Sequence, residues 1–258
     1  MTGSSVLEKG LGLLSHFTEY RVVLSISDLS RLAHLSTSTV YRYLVTLRSQ
    51  GFIELDERPG YYRLGLKILD LSRAIKRRTA ISLSLPVMED LANQTGESIL
   101  LCARYGQKGT CLDKVEGCHN LRVSYARGEP FHLHAGATGK VLLAYLSNKE
   151  VAAIIGEVGL PAFTKNTITD LEKLKTDLAK IRKAGFAVSR GEMHEGVRAI
   201  AAPIYNGRRK VIADLTVGAP IHRLEGLRME ETIRMVIEAA GKITERMSVY
   251  EDYSESQR

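Results

Sequence analysis

The sequence predicts an α+β chain in two unequal parts: a small helical unit closed by a β ribbon, then a larger unit built on a mainly antiparallel sheet flanked by helices. Three observations predict it. Between Ile26 and Arg63, two apolar stripes at helical spacing are separated by a tight turn and followed by Gly51 and a ribbon around Arg58-Pro59-Gly60. After Gly96 the texture changes to short apolar runs of strand length, divided first by Gly106, Gly109 and Gly117 and later by helical stripes. A length of 258 residues is ample for two cores.

With 44% hydrophobic and 25% charged residues, the composition is that of ordinary globular protein, and no apolar run is long enough to span a membrane. The opening Met1-Thr2-Gly3-Ser4-Ser5 lacks the basic and apolar regions of a signal peptide. Cys102, Cys111 and Cys118 fit neither a disulfide framework nor a paired Cys-x-x-Cys zinc site. The expectation is a cytoplasmic protein with free thiols. Net charge is +7, and its placement matters: residues 1–80 hold 12 Lys and Arg against 7 Asp and Glu, whereas residues 81–258 hold 24 against 22. Concentration of the excess in the smaller part is expected of a unit that meets phosphates.

Taken in order, Val6, Leu7, Leu11, Leu13, Leu14 and Phe17 predict a first helix that packing must hold, because Gly10 and Gly12 weaken its propensity. Ser27 is read as the N-cap of a second helix with Leu29, Leu32 and Ala33 on its apolar face. His34-Leu35-Ser36 is the turn, with Leu35 plugging the core between helices. A third helix begins at Ser36 or Thr37 and buries Val40, Leu44 and Leu47 in one stripe. Its other faces carry Ser38, Thr39, Tyr41, Arg42, Val45 and Arg48, groups suited to phosphate oxygens and base edges in a major groove. Gly51 stops the helix in the left-handed conformation. Residues 52–55 and 61–64 form two strands around Pro59-Gly60, which places Arg58 and Arg63 on a phosphate or in a minor groove. These parts make a winged helix-turn-helix, and its DNA-binding candidates are Ser36, Thr37, Ser38, Thr39, Tyr41, Arg42, Arg48, Arg58 and Arg63. Its expected extent is residues 1–65, followed by a linker helix over 66–80 with a basic end at 73–78 and a second domain over 81–258.

A helix over 82–94, with Pro86 tolerated in its first turn and Gly96 after its end, opens that second domain. Strands are expected over 98–104, 110–115 and 121–125, helices over 139–146 and 171–184, and further strands over 186–188, 199–204 and 211–217. Asn206-Gly207 marks a hairpin turn, and a last helix covers 227–247. Sheet runs flanked by helices give the α+β class. No catalytic set is assembled: His132, His134 and His194 lack a Gly-x-Ser-x-Gly elbow. In Gly136-Ala137-Thr138-Gly139-Lys140 the lysine is followed by Val141, so the phosphate-loop pattern is absent. Cys118-His119 with His132-x-His134 is the combination with metal-ligand chemistry, but a histidine beside an apolar strand is more often hydrogen-bonded in place. The expectation is no enzyme, no cofactor and no metal. The rival from another class is a small hydrolase or transferase using His132, His134 and Lys140, with the amino-terminal part as an interaction module.

Over nearly its whole length the chain resembles the IclR family of bacterial transcription regulators. The resemblance is carried by Leu35 to Phe52 with Arg42 and Gly51, by Phe131-His132-Leu133-His134-Ala135-Gly136-Ala137-Thr138-Gly139-Lys140, and by Gly185-Phe186-Ala187 and Gly191-Glu192. It continues in Gly196-Val197-Arg198, Ala201-Ala202-Pro203-Ile204 and Gly218-Ala219-Pro220. It implies a sensor domain similar to GAF and PAS sensors, homodimers that pair into tetramers, double-stranded operator DNA as partner, and a small-molecule effector, commonly an organic acid or aromatic catabolite. Carried over position by position, the effector residues are Phe131, Ala137, Thr138, Ser189, Ala199, Thr216 and Gly218. This chain has Ser189 where the family often has a carboxylate, Ala199 where it often has cysteine, and Thr216 and Gly218 where two serines are common. Fewer polar groups and the added Phe131 predict a ligand larger or less polar than a small 2-oxo acid, a ring or a sugar derivative, because each unpartnered buried polar group costs on the order of 1–3 kcal/mol. The implied activity is effector-controlled operator binding, in repression or activation of a catabolic operon.

Overall fold

The computed structural model describes residues 6–18, 20–76 and 80–255, with side chains over 6–18, 20–72 and 81–249. The chain divides into two compact units, residues 1–78 and 79–258. The basic cluster expected over 73–78 lies outside the described side chains.

The first unit runs α1 (Val6–Gly12), a 3-10 turn (Leu13–His16), β1 (Val23–Ser25), α2 (Ile26–Ala33), α3 (Thr37–Ser49), β2 (Ile53–Leu55), β3 (Tyr61–Leu64) and α4 (Lys67–Lys76). Leu13, Phe17, Leu29, Val40, Leu44, Leu47, Ile53 and Tyr62 form its core, and half-buried Leu35 packs against them as expected. His34 takes the left-handed conformation at φ 53°, which turns the chain between α2 and α3, and Gly51 at φ 75° turns it out of α3. The second helix is capped by Ser25, not Ser27. Ser25 Oγ accepts the Asp28 amide at 3.1 Å while the Asp28 carboxylate accepts the Ser25 amide at 3.1 Å, and this reciprocal pair outcompetes a single cap two residues on. β1 was not expected. At three residues it is too short to show alternation, yet it pairs with β3 through Val23↔Arg63 and Ser25↔Tyr61, giving the antiparallel order β1-β3-β2.

The second unit runs α5 (Ala80–Thr95), β4 (Ser98–Tyr105), β5 (Lys108–Val115), β6 (Pro130–Phe131), α6 (Gly136–Ala144), α7 (Asn148–Val158), α8 (Leu171–Ala184), β7 (Ala187–Arg190), β8 (Val197–Tyr205), β9 (Val211–Pro220) and α9 (Gly226–Glu255). The six strands form one antiparallel sheet in the order β6-β5-β4-β9-β8-β7. Side chains alternate cleanly across it. Ile99, Leu101, Ile200, Ala202, Leu215 and Val217 face Met88 and Leu91 of α5 and Val236 and Ile243 of α9. Leu100, Cys102, Cys111 and Ala201 face Val141 of α6 and Leu174 and Leu178 of α8. The result is three layers, with α6 laid on the face opposite α5 and α9.

Three expectations for this unit are corrected. Residues 121–125 form no strand: Pro130–Phe131 takes the edge position on β5 instead, through Gly109↔Phe131 and Thr110↔Pro130. α7 had been missed, although Ser147 and Glu150 make a capping box at its start. α5 begins two residues earlier than expected, so Pro86 lies beyond its first turn and the helix gives up a backbone bond there. The hairpin turn expected at Asn206-Gly207 is present: it joins β8 to β9, the Asn206 amide closes it on the Lys210 carbonyl at 2.9 Å, and Arg209 is held left-handed in it at φ 57°.

Candidate functional site

In the first unit, α3 is presented by its buried stripe of Val40, Leu44 and Leu47, which turns the opposite faces outward. Thr37, Ser38, Tyr41, Arg42, Val45 and Arg48 are exposed and Thr39 is half-buried. Ser36 caps the helix, its Oγ accepting the Thr39 amide at 3.3 Å and sharing hydrogen bonds with the hydroxyls of Ser38 at 3.1 Å and Thr39 at 2.9 Å. The helix start is therefore a knot of hydroxyls next to unpaired backbone amides, a surface that favours anions. Among the described residues, neither Arg42 nor Arg48 makes an ion pair, so both guanidinium groups are available. The ribbon arginines differ. Arg58 is fixed by Asp56 Oδ1 at 3.0 Å and lies 5.2 Å from the centre of the Tyr61 ring, and Arg63 pairs with Glu54 at 3.5 Å. Hydrogen bonds from Arg58 hold the Asp56 carboxyl below its usual range.

The second unit contains a cavity between α6, the sheet and the segment before β6. Its walls include Leu100, Val123, Tyr125, Phe131, Ala137, Thr138, Ser189, Met193, His194, Ala199, Thr216 and Gly218. All seven positions expected from the sequence line it, brought together from β6, α6, β7, β8 and β9. Sequence reasoning missed Val123, Tyr125, Met193 and His194 as lining residues. The first two had been assigned to a strand, and their alternation with polar, exposed Arg122 and Ser124 was the available signal. The walls enclose about 470 Å³ including the part open to solvent.

Each wall is held in a different way. Tyr125 stacks on Phe131 with ring centres 5.2 Å apart and planes at 18°. Gly218 leaves room for the cover, since a Cβ there would stand 3.2 Å from Val123. The start of α6 is pinned from α8 and the loop after β7. Glu192 accepts the Gly136 amide at 3.0 Å and pairs with Lys140 Nζ at 2.6 Å, and Lys140 also pairs with Asp177 at 2.9 Å. Gly139 lets the helix touch backbone directly.

The floor of the cavity is polar. The hydroxyls of Thr138 and Thr216 are 2.9 Å apart, and a 2.7 Å hydrogen bond joins Thr216 to Oδ1 of Asp214. Asp214 is fully buried and its Oδ2 has no hydrogen-bond partner. Burial pushes its carboxyl well above the usual carboxylate range. Cys102 and Cys111, partners across β4 and β5, lie beside it. Burial raises the Cys102 thiol, whereas the hydrogen bond with Cys102 lowers Cys111.

The residues of the rival enzyme reading are spent on structure. The Lys140 ammonium is taken up by the carboxylates of Glu192 and Asp177, and Lys140 itself is buried. His134 Nε2 is bonded to the Pro161 carbonyl at 3.0 Å, and His132 and His134 pack against each other and Phe163. Burial lowers both imidazoles. Cys118 and His119 lie instead against Gly96 and Glu97. Among the described residues no cluster of three or more His, Cys, Asp or Glu side chains is arranged to hold a metal ion, and no helix is long and apolar enough to cross a membrane.

A family profile described as the IclR helix-turn-helix domain matches residues 6–57, and one described as the C-terminal part of bacterial transcriptional regulator IclR matches residues 72–245. The HTH-type transcriptional regulator KdgR of Escherichia coli is 34% identical over 251 residues, 97% of this chain and 94% of KdgR. The transcriptional repressor IclR of the same organism is 30% identical over 241 residues, 92% and 88% of the two chains. A crystal structure of an IclR-type regulator from Silicibacter sp. TM1040 superposes with a TM-score of 0.88 at 30% identity, over 95% of this chain and 96% of that one. An IclR homologue from Microbacterium hydrocarbonoxydans, crystallised with 4-hydroxybenzoate, superposes with a TM-score of 0.84 at 25% identity, over 95% and 100%.

Proposed function

Because the chain belongs to the IclR family of DNA-binding transcription regulators, we propose that it is an effector-responsive regulator of a catabolic operon, with α3 and the β2–β3 ribbon as its operator contacts and the cavity under Tyr125 as its effector site. The observation that carries the reading is the convergence of Phe131, Ala137, Thr138, Ser189, Ala199, Thr216 and Gly218, from five separate elements, on one cavity. The domain limits follow the same division, residues 1–65 for DNA, 66–80 as linker and 81–258 as sensor.

The walls support a ring-bearing or sugar-derived organic acid. Phe131 and Tyr125 offer stacked aromatic faces, Ala199 and Gly218 leave space, and Ser189, Thr138 and Thr216 supply a few hydroxyls. The bound aromatic acid of the Microbacterium homologue is of this class. In this reading the chain works in the cytoplasm as a homodimer, and two dimers can pair into a tetramer. Control is by linkage: an effector that binds one dimer geometry better changes the spacing of the two α3 helices and so the affinity for operator DNA.

A gel shift on the promoter beside the protein's own gene, paired with a thermal-shift screen of carboxylates, sugar acids and aromatic acids, tests this. A salt-sensitive complex and selective stabilisation by a ring or sugar acid are expected. Absence of any complex removes the regulator reading for that promoter, and stabilisation by glyoxylate or pyruvate alone removes the proposed ligand class.

A further inference from the structure

The hydroxyl chain on the cavity floor has a direction, and counting protons gives it. Thr138 and Thr216 carry one hydroxyl proton each. If Asp214 is ionised it only accepts, so Thr216 donates to Asp214, Thr138 donates to Thr216, and Thr138 turns lone pairs alone to the cavity. If Asp214 is neutral, its proton on Oδ1 goes to Thr216, the Thr216 proton goes to Thr138, and the Thr138 proton is free to point at a ligand. The two arrangements fit the same 2.7 and 2.9 Å separations and present opposite chemistry to whatever binds.

The surroundings choose between them. Asp214 is fully buried, with Thr216 on its own strand, Cys102 on β4, Cys111 on β5 and the Tyr125 phenol from the cover as the titratable or polar groups around it. Among the described residues, no Lys, Arg or His pairs with it. A lone carboxylate in such a place lacks compensation for its lost hydration, and holding the proton is the cheaper state. With Oδ2 unpartnered, the proton gains a hydrogen bond only on Oδ1.

We infer that Asp214 keeps its proton in the folded protein and, through Thr216 and Thr138, makes the cavity floor a hydrogen-bond donor, selecting effectors that place an acceptor oxygen there. Asp214 is a positioning residue, since it reaches the ligand only through the two threonines. The inference rests on the effector-site reading for its ligand half and stands without it for its proton half.

Infrared difference spectra of the unliganded full-length protein read the proton directly. A band of a protonated buried carboxyl at neutral pH that disappears in Asp214→Asn is expected, and its absence from the wild type overturns the inference while leaving the effector site untouched. Calorimetric titration with benzoate, which is ionised at neutral pH and above, and with aniline then reads the ligand half on either side of the pH at which that infrared band is lost. Wild-type affinity for benzoate should fall roughly tenfold as the band disappears. Asp214→Asn still donates to Thr216 and should bind with the Asp214 step removed. Thr216→Val, which leaves Asp214 in place, should weaken benzoate at every pH. Identical pH profiles for wild type and Asp214→Asn, or preference for aniline, overturn the ligand half. A wild type silent to both probes but showing the infrared band overturns the ring-ligand reading and keeps the buried proton.

Discussion

Gly139 is the sharpest test of how the cavity between α6 and the sheet is built. It lies inside α6, where alanine would ordinarily stabilise by about 1 kcal/mol through helix propensity. Here a Cβ would stand 2.5 Å from the Leu133 carbonyl oxygen and 2.8 Å from Leu133 C and Cα. All three are backbone atoms and cannot rotate away. The helix cannot slide freely either, because Ala137 to Ala144 are all buried and Lys140 is anchored by Glu192 and Asp177. Overpacking of this kind costs about 1–3 kcal/mol, which leaves Gly139→Ala up to about 2 kcal/mol less stable after the propensity gain. Gly156 in α7 is the matched control, since a Cβ there meets nothing within 4 Å. Gly156→Ala should gain the propensity term alone, so the two variants should differ by roughly 1–3 kcal/mol, or about 2–12 °C in Tm for a unit of this size. Thermal denaturation of the full chain, followed by circular dichroism, measures both. Equal stability of the two variants would falsify the close approach of α6 to residue 133.

Arg42→Ala should weaken operator binding and, if Arg42 meets a phosphate, reduce the slope of log affinity against log salt by about 1; anisotropy with a promoter fragment reads both, and unchanged binding removes Arg42 from the interface. Lys140→Met should be the most destabilising single change, at about 3–5 kcal/mol, because it strands the buried Glu192 carboxylate and Asp177 without a cation; a Tm within 1 °C of wild type, set against a shift on the order of 2–4 °C per kcal/mol, contradicts the buried ion cluster. Ser25→Ala should cost about 0.5–2 kcal/mol in urea denaturation through loss of the α2 cap. Ser25 holds the Asp28 carboxyl below its usual range, so this cap contributes above the unfolded carboxylate pKa and is lost as pH falls through the folded one; the Ser25→Ala deficit should therefore shrink in acid, and a deficit constant with pH rules out the carboxylate half of the box.

The fold was legible where periodicity was long and chemically marked. α8 appears over the very residues expected, because Leu174, Leu178 and Ile181 repeat at helical spacing between the Asp170 cap and Gly185. α3 was legible for the same reason, from Ser36 to the left-handed Gly51. What was not legible depended on partners distant in sequence. β1 is three residues whose strand character comes from pairing with β3, and β6 is two residues held by Gly109 and Thr110. Residues 121–125 show the converse error. Their alternation is real, but Val123 and Tyr125 line a cavity, with Tyr125 also packed on Phe131, and no neighbouring strand among the described residues supplies the backbone bonds. At the cavity itself, the expected residues were found by resemblance, while Asp214 was invisible to it. Nothing in the sequence says that this aspartate is buried without a cation.

These walls differ in how far they can yield, and that difference bears on signalling. The floor is sheet, with β4, β9 and β8 locked in register, and α6 is held by a buried ion cluster and by backbone contact at Gly139. The cover carrying Val123 and Tyr125 belongs to neither sheet. It is tied at its ends, by Arg223 on the Leu121 carbonyl at 2.8 Å and by Arg127 on Asp113. Arg223 links that cover to Glu97 through two hydrogen bonds of 2.6 and 2.8 Å, at the junction between α5 and β4. The segment carrying Tyr125 is thereby tied to the end of α5, to β5 through Arg127 and Asp113, and to β6 by the stacking of Tyr125 on Phe131. A ligand that displaced Tyr125 would make different contacts in the two arrangements, which is the thermodynamic requirement for a ligand to shift an equilibrium at all.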